Sequence, residues 1–332
     1  MRAARPDSNS NSNSSIQPDP PILDRVSTAV QTEIWLVVKE EPSPGGFSDL
    51  PSPLDDLEGI PEALLALEAQ CQTLIDSPDV FLPTTNAVDL PFEVAFRRPS
   101  VVARRTELRQ TALRVMTAHD LILAWRRSFV LFADWTHGID EFNQLRSDDQ
   151  MVIAKNRFIP WSWWITAWRS LKAGCDGICC PNGTFHPRVN GKNPTGDPNL
   201  NEFFKDICER MVQNLVAPMR EMNIDEMEVC LVKVITLFCE DVGLSPSGKR
   251  KVAETREKYI QVLYRYIRRR NDVSSPSEAA SRLAKLMLFL STVTSLHHIM
   301  NDSVQFTSLF NIIDWDGLTR DAHKLTPSAQ AK

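Results

Sequence analysis

The sequence predicts an all-α domain of about three packed layers. Three observations lead there. From Asp55 onward, apolar residues recur at helical spacing in block after block. The stretch Phe158 to Lys172 carries Trp161, Trp163, Trp164 and Trp168 and is apolar on nearly every side, which suits the middle of a bundle. Only Asp176 to Arg188 (DGICCPNGTFHPR) reads as strand, with Asn182-Gly183 as its hairpin turn. No period of 20–50 residues recurs, so the chain is not a solenoid.

Taken in order, residues 1–54 are rich in Ser, Asn, Pro and Asp and are expected to form a disordered tail. Within them Val38-Lys39-Glu40-Glu41 fits a sumoylation site, or an exposed charged patch. Leu57 to Ile75 is helical, with Pro61 near its start and Leu64, Leu65, Leu67, Leu74 and Ile75 on one face. Pro83 and Pro91 punctuate the following loop. Arg104 to Ile139 reads as a long helical pattern, one helix or two end to end. Ser147, followed three residues later by Gln150, predicts a capping box and a new helix start. Pro160 is expected in the first turn of the tryptophan-rich helix, where its missing N–H costs little. Helices follow over Glu202 to Met222, Asp225 to Glu240 and Pro246 to Arg270. Ser275-Pro276-Ser277-Glu278 is a second capping box, opening a helix from Ala279 to about Phe310. A short last helix starts near Asp314, and residues 326–332 are a second disordered tail.

Composition narrows the function. The chain has 332 residues, is 42% hydrophobic and carries a net charge of −5, which demands neither nucleic acid nor an anionic membrane. No apolar run approaches the length of a bilayer span, and the N-terminus lacks the apolar segment of a secretory signal. Seven cysteines with no C-x-x-C pair fit a reducing compartment. Cys175, Cys179 and Cys180 lack zinc spacing, and the adjacent His297 and His298 point about 100° apart on a helix, so no metal site is expected. Nucleophile elbow, phosphate-cradling loop and paired catalytic carboxylates are all missing, so an enzyme is not expected. The basic runs Lys249-Arg250-Lys251 and Arg268-Arg269-Arg270 are solvated helix faces or import signals.

Asp134 to Lys155 (DWTHGIDEFNQLRSDDQMVIAK) is the most informative stretch. Trp135, Phe142, Leu145, Asp148, Asp149 and Gln150 match, in type and spacing, the signature of nuclear-receptor ligand-binding domains, which the chain resembles from about Leu57 to Leu325. Met211 to Phe238 is similar to the eighth-helix region of receptors of the retinoid X and hepatocyte-nuclear-factor classes, and Asp241 to Ser245 to the loop after it. The wording looks most like nematode receptors of the hepatocyte-nuclear-factor type. The resemblance implies a three-layer antiparallel helical sandwich with one small β-hairpin over residues 55–325. It also implies a nuclear transcription regulator, dimerising with itself or another nuclear receptor and binding a coregulator peptide. Such receptors carry zinc modules built from C-x-x-C pairs. With none here, no zinc-finger DNA-binding domain, no direct DNA contact and no membrane partner are expected of this chain.

The resemblance also implies site residues. The ligand pocket would be lined by Trp125, Ser128, Phe158, Ser162, Trp163, Thr166, Arg169, Cys180, Met300, Ser303 and Thr307. No cofactor is implied beyond a fatty-acid-like or other lipophilic ligand; alternatively Trp125 and Trp163 fill the space themselves. Arg169 would grip a ligand carboxylate, or form a structural ion pair with Asp176 or Glu228. The coactivator groove would be built from Val130, Ala133, His137, Gln150, Met151 and Lys155, with Leu318 and Asp321 on the last helix. There His137, mostly neutral at pH 7, stands for a lysine, and Asp321 for a glutamate. Gly317, Thr319, Ala322 and His323 replace apolar or helix-favouring residues, which points to a weak or repressive last helix, or to a frayed tail. The dimer face would be Ala284, Met287, Leu288 and Thr292, with Thr294 where the family often has a pairing Arg. Two readings of function follow: a ligand-binding transcription regulator, or a ligand-free interaction module that dimerises with full-length receptors and modulates them.

Overall fold

Local capping sets most helix starts in the computed structural model, which describes residues 57–79, 88–188 and 194–323. The two expected tails, the Val38–Glu41 motif and Pro83 lie outside the described residues. Helix α1 (Ile60–Thr73) begins with Pro61 in its first turn. A short α2 (Phe92–Arg97) precedes strand β1 (Arg109–Val115). Helix α3 (Ala118–His137) starts at a full capping box, with the Thr117 hydroxyl accepting from Asp120 N–H and the Asp120 carboxylate from Thr117 N–H. A single turn, α4 (Asp140–Asn143), leads into α5 (Ser147–Ala173), which ends at Gly174 in the left-handed region, φ 63°. Strands β2 (Gly177–Cys179) and β3 (Asn182–Pro187) follow. Helix α6 (Pro198–Met211) widens into a π turn over Val212–Val216 and continues as α7 (Ala217–Glu221). The wide turn lies just before Pro218, whose ring would clash with a carbonyl in an unbroken α-helix. Then come α8 (Glu226–Leu237), α9 (Pro246–Arg268), α10 (Pro276–Leu309) and α11 (Gly317–Ala322).

The helices stack in three layers. Helices α1 and α3 pack on α8 and α5; α5, α8 and α9 form the middle; α10 and the α6–α7 rod cover the other side. Every residue of α8 from Met227 to Leu237 is buried, as a middle-layer helix requires. Two buried charges there are paired. Glu228, fully buried, accepts from Arg282 and Arg270. Lys233, 1% exposed, pairs with Glu68 and lies 4.3 Å above the Trp135 ring.

The all-α sandwich is present, with five local corrections. Arg104 to Ile139 is not continuous helix: its first half holds the seven-residue β1, which pairs in parallel with β3 to give a three-stranded sheet, β1-β3-β2, where one hairpin was expected. Strand β1 hides from periodicity because its register shifts between Arg109 and Arg114 and Ala112 sits at φ 46°, a bulge that breaks alternation. Pro160 lies deep inside the 27-residue α5, not in a first turn. Ser147 is no N-cap; Arg146 holds that place, and the Ser147 hydroxyl accepts from Arg97 at 2.6 Å. Gln150 reaches back to the carbonyls of Phe142 and Leu145, at 3.2 and 3.1 Å, clamping the α4–α5 connector instead of a cap. The hairpin turn is Cys180 to Gly183, closed by Gly183 N–H to Cys180 C=O at 3.1 Å, so Pro181 and Asn182 are its central pair. In the second box Ser275 does accept from Glu278 N–H, but the Glu278 carboxylate turns to Ser274.

The signature residues earn their places in this packing. Trp135 and Phe142 are buried to 1% and 0%, and Asp149 is buried to 3% while Asp148 is exposed. Asp149 accepts from the Ser245 N–H and hydroxyl, both at 2.7 Å, joining the start of α5 to the cap of α9. Gly248 lets it approach: a Cβ there would stand 2.6 Å from the carboxylate.

Candidate functional site

Residues of α3, α5 and the β2–β3 turn line a cavity of about 70 Å³. Eight of the eleven expected pocket residues line it: Trp125, Ser128, Phe158, Ser162, Trp163, Thr166, Cys180 and Met300. Leu121, Ile178 and Phe204, not expected, line it too. Its walls are aromatic: Trp125 stacks on Phe129 at 5.8 Å and meets Phe158 edge-on at 5.3 Å. The indole N–H groups of Trp125 and Trp163 are buried without an acceptor. Burial pushes the Cys180 thiol up to about 12, so it meets the cavity uncharged.

Arg169, Ser303 and Thr307 fall outside that cavity. Arg169 is 5% exposed and lines a separate crevice of about 20 Å³ with Glu68 and Leu131. Neither expected ion pair forms: Asp176 pairs with Arg188, and Glu228 with Arg270 and Arg282. Burial lowers the Arg169 pKa from its ordinary value. Thr307 accepts from the Trp315 indole at 2.9 Å and donates to Ser303 C=O, fastening the loop before the last helix to α10. A larger cavity, about 1020 Å³, lies between α3 and the Val88–Leu90 and Val101–Arg109 segments, with Leu123, Arg126 and Arg127 on its wall. Nothing in the sequence pattern points to it, because irregular segments form most of its lining.

The last helix is a packed element, not a frayed end. Leu318, Thr319, Ala322 and His323 are buried. Asp316 caps it through Thr319 N–H at 2.8 Å and accepts from the buried Arg126 at 2.8 Å. Gly317, which looks helix-weakening in sequence, permits a close approach: a Cβ there would stand 2.7 Å from Asp89 Oδ1, which accepts the Gly317 N–H. His323 Nδ1 lies 2.6 Å from Asn301 Oδ1, and burial pulls its pKa down to about 3.

The expected groove residues divide. Lys155 on α5 and Asp321 on α11 meet in an ion pair at 2.5 Å, both about one-third exposed. Val130, Ala133 and Leu318 are fully buried, Met151 is half-buried, and Gln150 is committed to the connector. His137 packs on Phe96 at 4.7 Å; burial lowers its pKa, which leaves the ring neutral at pH 7. The segment that closes over these walls is α2, which contacts α3, α5 and α11.

On α10, Leu288 is 69% exposed, Ala284 is exposed, and Met287 and Thr292 are half-buried. Thr294 is exposed and spends its hydroxyl on Leu290 C=O at 2.8 Å. Contrary to the sequence reading, α10 is long and apolar enough to cross a bilayer. Its Leu286, Phe289, Val293, Leu296 and Met300 nonetheless pack into the protein core.

Comparison with known proteins agrees with this arrangement. The family described as the ligand-binding domain of nuclear hormone receptors matches residues 107–310. Nuclear hormone receptor family member nhr-4 of Caenorhabditis elegans is 40% identical over 284 residues, 84% of this chain and 56% of that protein. Family member nhr-61 of the same organism is 30% identical over 275 residues, covering 78% and 65%. Family member nhr-100, also from that organism, is 28% identical over 294 residues, covering 86% and 67%. The chain thus spans between about half and two thirds of the length of these relatives.

Proposed function

This chain belongs to the nuclear hormone receptor family, as a ligand-binding-type domain of a transcription regulator, and from that premise we propose that it works chiefly through protein partners, with the space between α3, α5 and the β2–β3 turn filled by its own side chains. Members of the family are generally nuclear, generally non-enzymatic, and generally dimerise and recruit coregulators. The observation that carries the proposal is the cavity of about 70 Å³ beside Trp125 and Trp163. Sites for drug-sized ligands run to roughly 300–1,000 Å³. Two faces are then the working parts: the α3–α5–α11 face, for an amphipathic coregulator helix, and the face of α10 around the exposed Leu288, for a second receptor domain.

One observation favours the other reading, a lipophilic ligand. The two unpartnered indole donors at the cavity edge would bond a ligand oxygen if the rings turned aside. Native mass spectrometry of the purified chain separates the readings. A dimer without bound lipid is the expected result; a stoichiometric co-purifying lipid would establish the ligand-binding alternative.

A further inference from the structure

Helix α2 has its buried residues at Phe92, Ala95 and Phe96, positions i, i+3 and i+4, while Glu93, Val94 and Arg97 face solvent. This is the spacing of an amphipathic helix lying in a groove. The groove walls are α3, α5 and α11. The Phe92 ring meets Phe129 of α3 edge-on at 5.4 Å and lies under Lys155 Nζ of α5 at 5.8 Å. Phe96 sits among Phe132, His137 and Phe142, at 5.9, 4.7 and 5.9 Å. Asp321 of α11 accepts the Phe92 backbone N–H at 3.0 Å with one oxygen and Lys155 Nζ at 2.5 Å with the other. The last helix thus caps the first turn of α2 with the same carboxylate that ties it to α5.

We propose that α2 is a built-in occupant of the partner-docking face, and that a coregulator helix with apolar residues at i, i+3 and i+4 binds by displacing it. The inference rests on the docking-face reading given above. The occupant is suited to leave. At six residues, between Pro91 and Pro99, α2 is far below the length at which a helix holds in water without packing. It competes strongly while docked because it is tethered, which gives it a high effective concentration at the face. A partner must outbid that local concentration, so the face is closed by default and opens to tight or abundant partners.

The test adds the occupant in trans. The probe is a fluorescein-labelled peptide of residues 90–100 (LPFEVAFRRPS), titrated by polarisation against the whole chain and compared with a scrambled peptide. Wild type should bind it weakly. The double variant Phe92→Ala, Phe96→Ala, which empties the face, should bind at least tenfold tighter. Should that variant fold poorly, Glu93→Gly with Val94→Gly weakens α2 from its exposed side, leaving every buried contact in place. It should bind roughly twofold tighter per glycine, because glutamate and valine already lie below alanine in helix propensity and glycine lies only a few tenths of a kcal/mol lower again. Equal affinity for wild type and variants would overturn the self-occupancy alone, since the face would already be open. No binding by any form would overturn the docking-face reading with it.

Discussion

Asp316 receives the Arg126 guanidinium at 2.8 Å on one oxygen and the Thr319 N–H at 2.8 Å on the other, so a single buried carboxylate both caps α11 and ties it to α3. A second carboxylate, Asp321, ties the same helix to Lys155 of α5. Removing the Asp316 carboxylate takes away a helix cap and deprives a buried guanidinium of its anion. Asp316→Ala should therefore cost about 3–5 kcal/mol, seen as a lower denaturant midpoint. Amide exchange from Leu318 to Ala322 should rise in step. An unchanged midpoint with unchanged exchange would show that the pair carries no load.

The interior cavity is small because two indoles occupy it. Trp163→Ala should destabilise the domain by roughly 3–5 kcal/mol, and the enlarged apolar space should take up benzene, as dry engineered cavities of about 150 Å³ do. Wild type should not respond. The readout is the rise in melting temperature at saturating benzene. Arg169→Ala should leave that rise unchanged in the Trp163→Ala background, because Arg169 lies outside the cavity. Equal responses of wild type and Trp163→Ala would show that the indole does not limit the space.

Two histidines make the fold sensitive to acid. Burial pulls His186 down to about 4, its ring 4.9 Å from Phe204, and pulls His323 down to about 3. Both are neutral in the fold, whereas the unfolded chain protonates near 6.5. The unfolded state therefore binds more protons below that value, and stability falls as pH drops from about 6.5 toward 4. At pH 5 each site should cost about 2 kcal/mol relative to pH 7.5. Urea unfolding at the two pH values measures the loss, and His186→Phe should remove about half of it. Coinciding midpoints for wild type at pH 7.5 and pH 5 would refute the assignment.

Much of the candidate site was legible in the linear order of residues. The resemblance around the Trp135–Gln150 signature places Trp125, Ser128, Phe158, Ser162, Trp163 and Thr166 on the inner sides of α3 and α5, and they do share one cavity. Arg169 falls instead in the separate crevice that Ile165, Trp168 and Glu68 of α1 also line. Strand β1 was read as helix although the cap that ends it is visible: Thr117 followed three residues later by Asp120 marks a helix start at Ala118. The partnerships of Lys233 with Glu68 and of Arg126 with Asp316 leave no local signal, since 165 and 190 residues separate the members.

Periodicity, caps and the Trp135–Gln150 stretch were enough to place this chain in an all-helical sandwich and to mark its tryptophan-bearing middle helix. These are properties of neighbours along the backbone, where spacing alone decides which face turns inward. How much room the two indoles leave, where Asp316 finds its counter-ion, and which segment covers the α3–α5–α11 face were settled only in three dimensions. A cavity volume is the difference between large packed volumes. A buried ion pair or an occupied groove joins residues whose meeting no local rule can foresee.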